Sequence, residues 1–145
     1  GPVATVGTAY LQVGEVPGEA WVVGSAIGFF AAAVLLQNNL RDLEQDRIVG
    51  KRTLAVFIGP RLARWAVTLL LILPYLCLGF LWLNFVWVPV VGVTSVFTVY
   101  VLGLVWKEKV SEPVDLIRAL QMTVLNGFVY ALALSLVIVI ESSDF

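Results

Sequence analysis

The chain has 145 residues, of which 60% are hydrophobic and only 13% charged, with a formal net charge of −1. A soluble domain of this length carries about twice that charged fraction, so the composition excludes an ordinary soluble protein and points to an integral membrane protein. A single cysteine, Cys77, and the absence of histidine exclude a disulfide framework, a thiolate metal site and imidazole chemistry, leaving carboxylates and amides to carry any site.

In chain order, the segment from Gly1 to Gln12 is apolar but too short to span a bilayer, which takes about 20 apolar residues. It also lacks the basic region of a signal peptide. With glycine and not methionine in first place, it reads as the second half of a helix, and the chain as a fragment. Full-length apolar runs follow over Trp21–Leu40, Leu62–Leu83, Val88–Trp106 and Leu116–Ile140, each long enough to cross a hydrocarbon core of about 30 Å. In the first run Gly24, Gly28 and Ala32 recur at every fourth position, with Ser25 and Ala33 beside them. Such a stripe of small residues lets helices approach closely, which predicts that this span is buried in the bundle. Pro74 predicts a kink in the second run.

The charges lay out a topology. All nine basic residues fall in two connections: Arg41, Arg47, Lys51, Arg52, Arg61 and Arg64 after the first run, and Lys107, Lys109 and Arg118 after the third. The opposite ends hold only Glu15, Glu19, Glu141 and Asp144. The positive-inside rule puts the basic connections in the cytoplasm and the C-terminus outside. All five tryptophans (Trp21, Trp65, Trp82, Trp87 and Trp106) sit at run ends, where an amphipathic ring prefers the headgroup layer. The expected fold is therefore an all-α integral membrane helical bundle, a single domain over residues 1–145 with four complete transmembrane helices and a partial N-terminal one. With near-neutral net charge, no nucleic-acid partner is expected.

The densest chemistry lies between Asn38 and Thr53, N-N-L-R-D-L-E-Q-D-R-I-V-G-K-R-T. Ionisable residues are costly at a membrane edge, so a cluster there marks a functional site by default. Asn38 or Asn39, Asp42 and Asp46 follow at four-residue steps, which aligns their oxygens on one helical face. A column of hard oxygen ligands with cations just beyond suits a Mg²⁺-bridged diphosphate. The competing reading is a solvated loop whose acids and bases neutralise one another. Three details weigh against it: the amides of Asn38 and Asn39 sit on an apolar helix, Asp42 and Asp46 keep helical spacing, and Gly50-Lys51-Arg52-Thr53 closes the segment with two cations after a flexible residue.

This segment resembles the second aspartate-rich region of the UbiA superfamily of intramembrane aromatic prenyltransferases. The longer pattern N-N-L-R-D-L-E-Q-D-R-x-x-G-K-R-T-L-A-V-x-x-G, ending at Gly59, is most similar to the 1,4-dihydroxy-2-naphthoate polyprenyltransferases of menaquinone biosynthesis. G-P-V-A-T-V-G-T-A-Y-L-Q is similar to the segment preceding it there. The resemblance implies a nine-helix fold around a central cavity, of which this chain supplies half of the fifth helix and the sixth to ninth, as the C-terminal part of a larger prenyltransferase domain. It implies transfer of a polyprenyl group from a polyprenyl diphosphate to 1,4-dihydroxy-2-naphthoate with loss of CO₂, at a cell membrane, with Mg²⁺ as cofactor. Asp42 and Asp46 are then the catalytic metal ligands, Asn38 and Asn39 auxiliary ligands or orienters, and Lys51, Arg52 and Arg47 diphosphate contacts. Arg41 and Arg47 are equally open to lipid headgroups. The family's first aspartate-rich motif is missing, so the chain alone is expected to be inactive, and Asn39 stands where the fuller motif has an Asp.

A different class of function, a non-catalytic subunit or transporter half with a cation site, uses the same carboxylates. Transporter carboxylates usually lie near the bilayer midplane, whereas Asp42 and Asp46 lie at the cytoplasmic edge. Other polar residues carry two readings each. The connection from Lys107 to Arg118, with Glu108, Glu112 and Asp115, caps the cavity or is plainly solvated. Gln121 and Asn126 face the cavity or bond between helices, and Tyr10 and Gln12 line an aromatic pocket or nothing.

Overall fold

Residues 1–107 and 113–143 are described by the structure, a computed structural model. Helix α1 covers Pro2–Val13, α2 Gly18–Arg41, α3 Leu43–Ile48 and α4 Leu54–Leu81; a 3₁₀ segment Val88–Thr94 runs into α5, Ser95–Val105, and α6 covers Pro113–Ser143. The described residues contain no strand. Four stretches are long and apolar enough to cross a membrane: Gly18–Arg41, Leu54–Leu81, Val88–Val105 and Val114–Ser143. The chain is a multi-pass membrane protein with an all-α architecture, as its hydropathy predicts.

The second span differs from the expectation. It begins at Leu54, where the Thr53 hydroxyl accepts the Val56 N–H at 3.4 Å and caps the helix. The backbone then breaks at Gly59 (φ 82°, ψ 165°), a left-handed φ that glycine adopts without a Cβ clash. Pro60 restarts the helix, since its missing N–H costs nothing in a first turn. Helical dihedrals continue through Pro74, so the break in this span is at Gly59. The third span begins as a 3₁₀ helix, where the β-branched run around Gly92 favours the α-helix only weakly. The Thr94 hydroxyl donates to the Val91 carbonyl at 2.8 Å within it.

Helix α2 packs against α1, α4 and α6, and α5 packs on α6. Its small-residue stripe acts where predicted: a Cβ on Gly24 would stand 2.7 Å from the Cα of Pro2, so only glycine lets α1 lie this close. At the bundle centre Phe30, Tyr75 and Tyr130 meet edge to face, with ring centroids 5.2–6.3 Å apart. Only 22–33% of each span is buried, so most apolar side chains face outward, the arrangement of a chain solvated by lipid.

Two layers of polar contacts hold the spans together inside the apolar region. Gln37 and Thr123, both fully buried, exchange hydrogen bonds of 2.9 and 3.1 Å between α2 and α6. Further along, the Asn126 amide donates to Thr98 at 2.8 Å and to the Tyr75 hydroxyl at 3.2 Å, and the Tyr130 hydroxyl donates to the Pro74 carbonyl at 2.7 Å. Interhelical bonds of this type contribute about 0.6–2 kcal/mol each. Asn126 thus takes the interhelical role, while Gln121 is exposed on α6.

The two ends of the bundle differ in chemistry. At one, the Glu141 carboxylate accepts the N–H groups of Val86 and Trp87 at 2.9 and 2.6 Å, and Asn84 donates to Glu19 at 2.8 Å. At the other, Lys107 pairs with Asp115 at 3.0 Å, at the same end of the bundle as Asp42 and Asp46. Glu108, Lys109, Glu112 and Asp144 lie outside the described residues. The tryptophans are exposed near these ends, Trp21 by 53% and Trp87 by 63%, as rings in a headgroup layer must be. Because the lysines and arginines gather at one end, a cysteine at Ser143 is expected to react with an impermeant thiol reagent in right-side-out vesicles. A cysteine at Gly50 is expected to stay protected, and the reverse labelling would overturn this sidedness.

Candidate active site

The α2–α3 corner builds the site. Helix α2 ends at Arg41, and Asp42 (φ −92°, ψ 7°) bends the chain into the short helix α3. The backbone ladder nevertheless crosses the bend, with the Asp42 N–H bonded to the Asn38 carbonyl at 3.1 Å and the Asp46 N–H to the Asp42 carbonyl at 2.8 Å. The column Asn38, Asp42, Asp46 read from the spacing is therefore kept, but on two helices joined at a bend.

Helix α3 ends in a paired C-terminal cap. Gly50, at φ 72°, takes the left-handed position; its N–H reaches the Arg47 carbonyl at 3.2 Å and the Lys51 N–H the Asp46 carbonyl at 2.9 Å. This reversal carries Lys51 back over Asp46, whose Oδ1 accepts from Lys51 Nζ at 3.2 Å. Gly50 thus sets the distance between a cation and a carboxylate, beyond simply ending the helix.

The carboxylates have different environments. Asp42 is gripped by Arg41, whose Nε and Nη2 donate to its oxygens at 2.7 and 2.8 Å. That hydrogen bonding, helped by the charges of Arg41 and Lys51, holds the Asp42 carboxyl below its ordinary range against the opposing effect of burial. Asp46 is only 5% exposed, and its Oδ2 is buried without a hydrogen-bond partner among the described residues. A buried carboxylate oxygen left unpartnered is costly, so Oδ2 is the atom that a ligand would satisfy. The side chains of Asn38 and Asn39 are half-buried alongside.

The cations divide. Lys51 joins Asp46, but Arg47 pairs with Glu44 at 3.0 Å on the exposed side of α3, away from the two aspartates. Arg52 is exposed and forms no ion pair among the described residues. Among those residues no three of Asp, Glu, Cys and His come together. Two carboxylates and two amides are hard oxygen donors of the type Mg²⁺ takes, and they fit part of its shell.

Some residues were not legible as partners in the sequence. Gln37, one position before the motif, anchors α2 to Thr123 on α6 and so fixes the rotation of the helix that presents Asn38. Tyr10 is 57% exposed on α1, near the start of α2. The 24 residues of α2 put it about 36 Å from Asp42 along the bundle.

The grip of Arg41 has a pH consequence. A carboxyl held low contributes its charge above its ordinary range and loses it only as pH falls through the depressed value. Arg41→Gln is expected to move that loss to higher pH, and an acid limb of diphosphate binding that stayed in place would refute it.

A sequence profile described as the UbiA prenyltransferase family matches residues 1–127. The chain is 42% identical over 71 residues to a 1,4-dihydroxy-2-naphthoate octaprenyltransferase of Haemophilus influenzae, covering 49% of this chain and 23% of that protein. It is 41% and 38% identical over 76 residues to UbiA prenyltransferase domain-containing protein 1 of Ailuropoda melanoleuca and Homo sapiens, covering 52% of this chain and 23% and 22% of those proteins. These matched segments span less than a quarter of the curated relatives. No solved structure matches the chain. The chain belongs to the UbiA prenyltransferase family.

Proposed function

We propose that this chain forms part of an enzyme of menaquinone biosynthesis that transfers a polyprenyl group from its diphosphate to 1,4-dihydroxy-2-naphthoate, with loss of CO₂. The observation that carries this reading is Asp46, a buried carboxylate with one unpartnered oxygen, set beside an Asp42 that is held ionised at the membrane edge. Asp42 and Asp46, with Asn38 and Asn39 as auxiliary oxygens, would hold Mg²⁺, which would supply positive charge to offset that growing on the diphosphate leaving group. Lys51 and Arg52 contact the same diphosphate oxygens. Arg47 joins them only by giving up Glu44. The bilayer surrounds the site, the motif connection faces the cytoplasm of a cell membrane, and the allylic cation left by ionisation is attacked by the electron-rich ring. Naphthoate is favoured as acceptor by the name of the Haemophilus influenzae relative.

The test is product identity. The chain, fused behind the N-terminal portion of that relative, is supplied in membranes with polyprenyl diphosphate and either 1,4-dihydroxy-2-naphthoate or 4-hydroxybenzoate. A decarboxylated prenyl naphthoquinol is the expected product. Prenylation of 4-hydroxybenzoate alone would overturn the acceptor.

A further inference from the structure

We propose that the cytoplasmic ends of α4 and α5 hold the headgroup phosphate of an anionic phospholipid, gripped by Arg64 and Arg61 and flanked by Trp65 and Trp106. Arg61, Arg64, Trp65 and Thr68 lie three, four and seven positions along α4, on one side of the helix. Trp106, at the end of α5, packs edge-on against Trp65 with centroids 4.8 Å apart and donates its Nε1–H to the Thr68 hydroxyl at 3.0 Å. Thr68 in turn donates to the Arg64 carbonyl at 2.9 Å. The two helix ends are thereby locked around Arg64.

Arg64 Nε is buried and lacks an acceptor among the described residues. A buried guanidinium N–H without an acceptor is costly, and because the Arg64 side chain is only half-buried, turning its guanidinium outward to an acceptor at the surface relieves that cost. Arg41, Arg47, Lys51 and Lys107 each pair with a carboxylate within 3.2 Å, whereas Arg61 and Arg64, like the exposed Arg52 and Arg118, have none among the described residues; Arg64 differs from the other three in having a buried N–H without an acceptor. The tryptophan pair sets the depth, since indole rings settle in the headgroup layer, where phosphates are the abundant acceptors. A guanidinium matches a phosphate through its planar fork, and basic pockets between helix ends on the cytoplasmic side favour anionic headgroups. This inference rests on the membrane-spanning architecture and is independent of prenyl transfer.

The test uses the 145-residue chain with Trp21, Trp82 and Trp87 changed to phenylalanine, reconstituted in phosphatidylcholine vesicles. Quenching of the remaining tryptophans by dibrominated phosphatidylglycerol is compared with quenching by dibrominated phosphatidylcholine. Phosphatidylglycerol is expected to quench at severalfold lower mole fraction, and Arg64→Gln to reduce that preference about fivefold. Arg64→Lys is expected to retain part of it, and Arg118→Gln, which removes another exposed cytoplasmic-end cation, to leave it intact. If Arg64→Gln fails to insert, Arg61→Gln carries the same reading. Equal quenching by the two lipids, equal losses from Arg64→Gln and Arg118→Gln, or displacement of phosphatidylglycerol by excess inorganic diphosphate would each overturn the site.

Discussion

Asp42→Asn and Asp46→Asn are each expected to lower prenyl transfer by the fused protein at least about a hundredfold, while the protein remains folded in the membrane. An amide keeps the shape of a carboxylate but loses the charge that holds a divalent cation. Losing one transition-state contact of this kind costs on the order of 3 kcal/mol. The structure separates the two variants. At position 46 the bond from Lys51 survives on the amide oxygen, so the loss reports the free oxygen that Oδ2 supplies. At position 42 the variant also frees Arg41 from its paired contact, so a further weakening of diphosphate binding is expected. Glu44 is the internal control: its side chain is 79% exposed and, among the described residues, pairs only with Arg47. Glu44→Gln is expected to be nearly silent. Parental rates for the aspartate variants at saturating Mg²⁺, or equal damage from Glu44→Gln, would return the segment to a solvated loop.

The 145-residue chain by itself is expected to give no prenyl transfer above background, and the fused protein to turn over. The described residues bring no three carboxylates or other metal ligands together, while a diphosphate leaving group needs cations held from opposing sides to offset its growing charge. Quantifying prenyl naphthoquinol from matched amounts of both proteins, with insertion checked by protease protection, decides the matter. Turnover by the chain alone would show that Asp42 and Asp46 suffice and that the shared-site reading is wrong.

Much of the fold is legible along the chain because a bilayer imposes one-dimensional rules. Length and hydropathy locate the spans, the clustering of lysine and arginine orders their ends, and tryptophan marks the interfaces, all without knowledge of which helix touches which. The α2 glycine stripe likewise announces a close approach, although not that Pro2 is the residue met there. The helical spacing of Asn38, Asp42 and Asp46 is legible for the same reason, as it needs only the local backbone.

What the sequence left open depended on contacts between distant segments or on single dihedrals. The bend at Asp42 and the break at Gly59 are choices of local φ and ψ that hydropathy does not register. The reversal at Gly50 that sets Lys51 over Asp46 couples a glycine dihedral to a side chain one residue later. Gln37 needed Thr123, 86 positions away, before its amide had a visible purpose. The unequal states of the two aspartates also emerged only in three dimensions, since burial and the position of Arg41 determine which carboxylate oxygens are already bonded and which remains free. Composition and periodicity thus determine a membrane bundle with an acidic edge, while tertiary packing decides which atoms of that edge are free to bind.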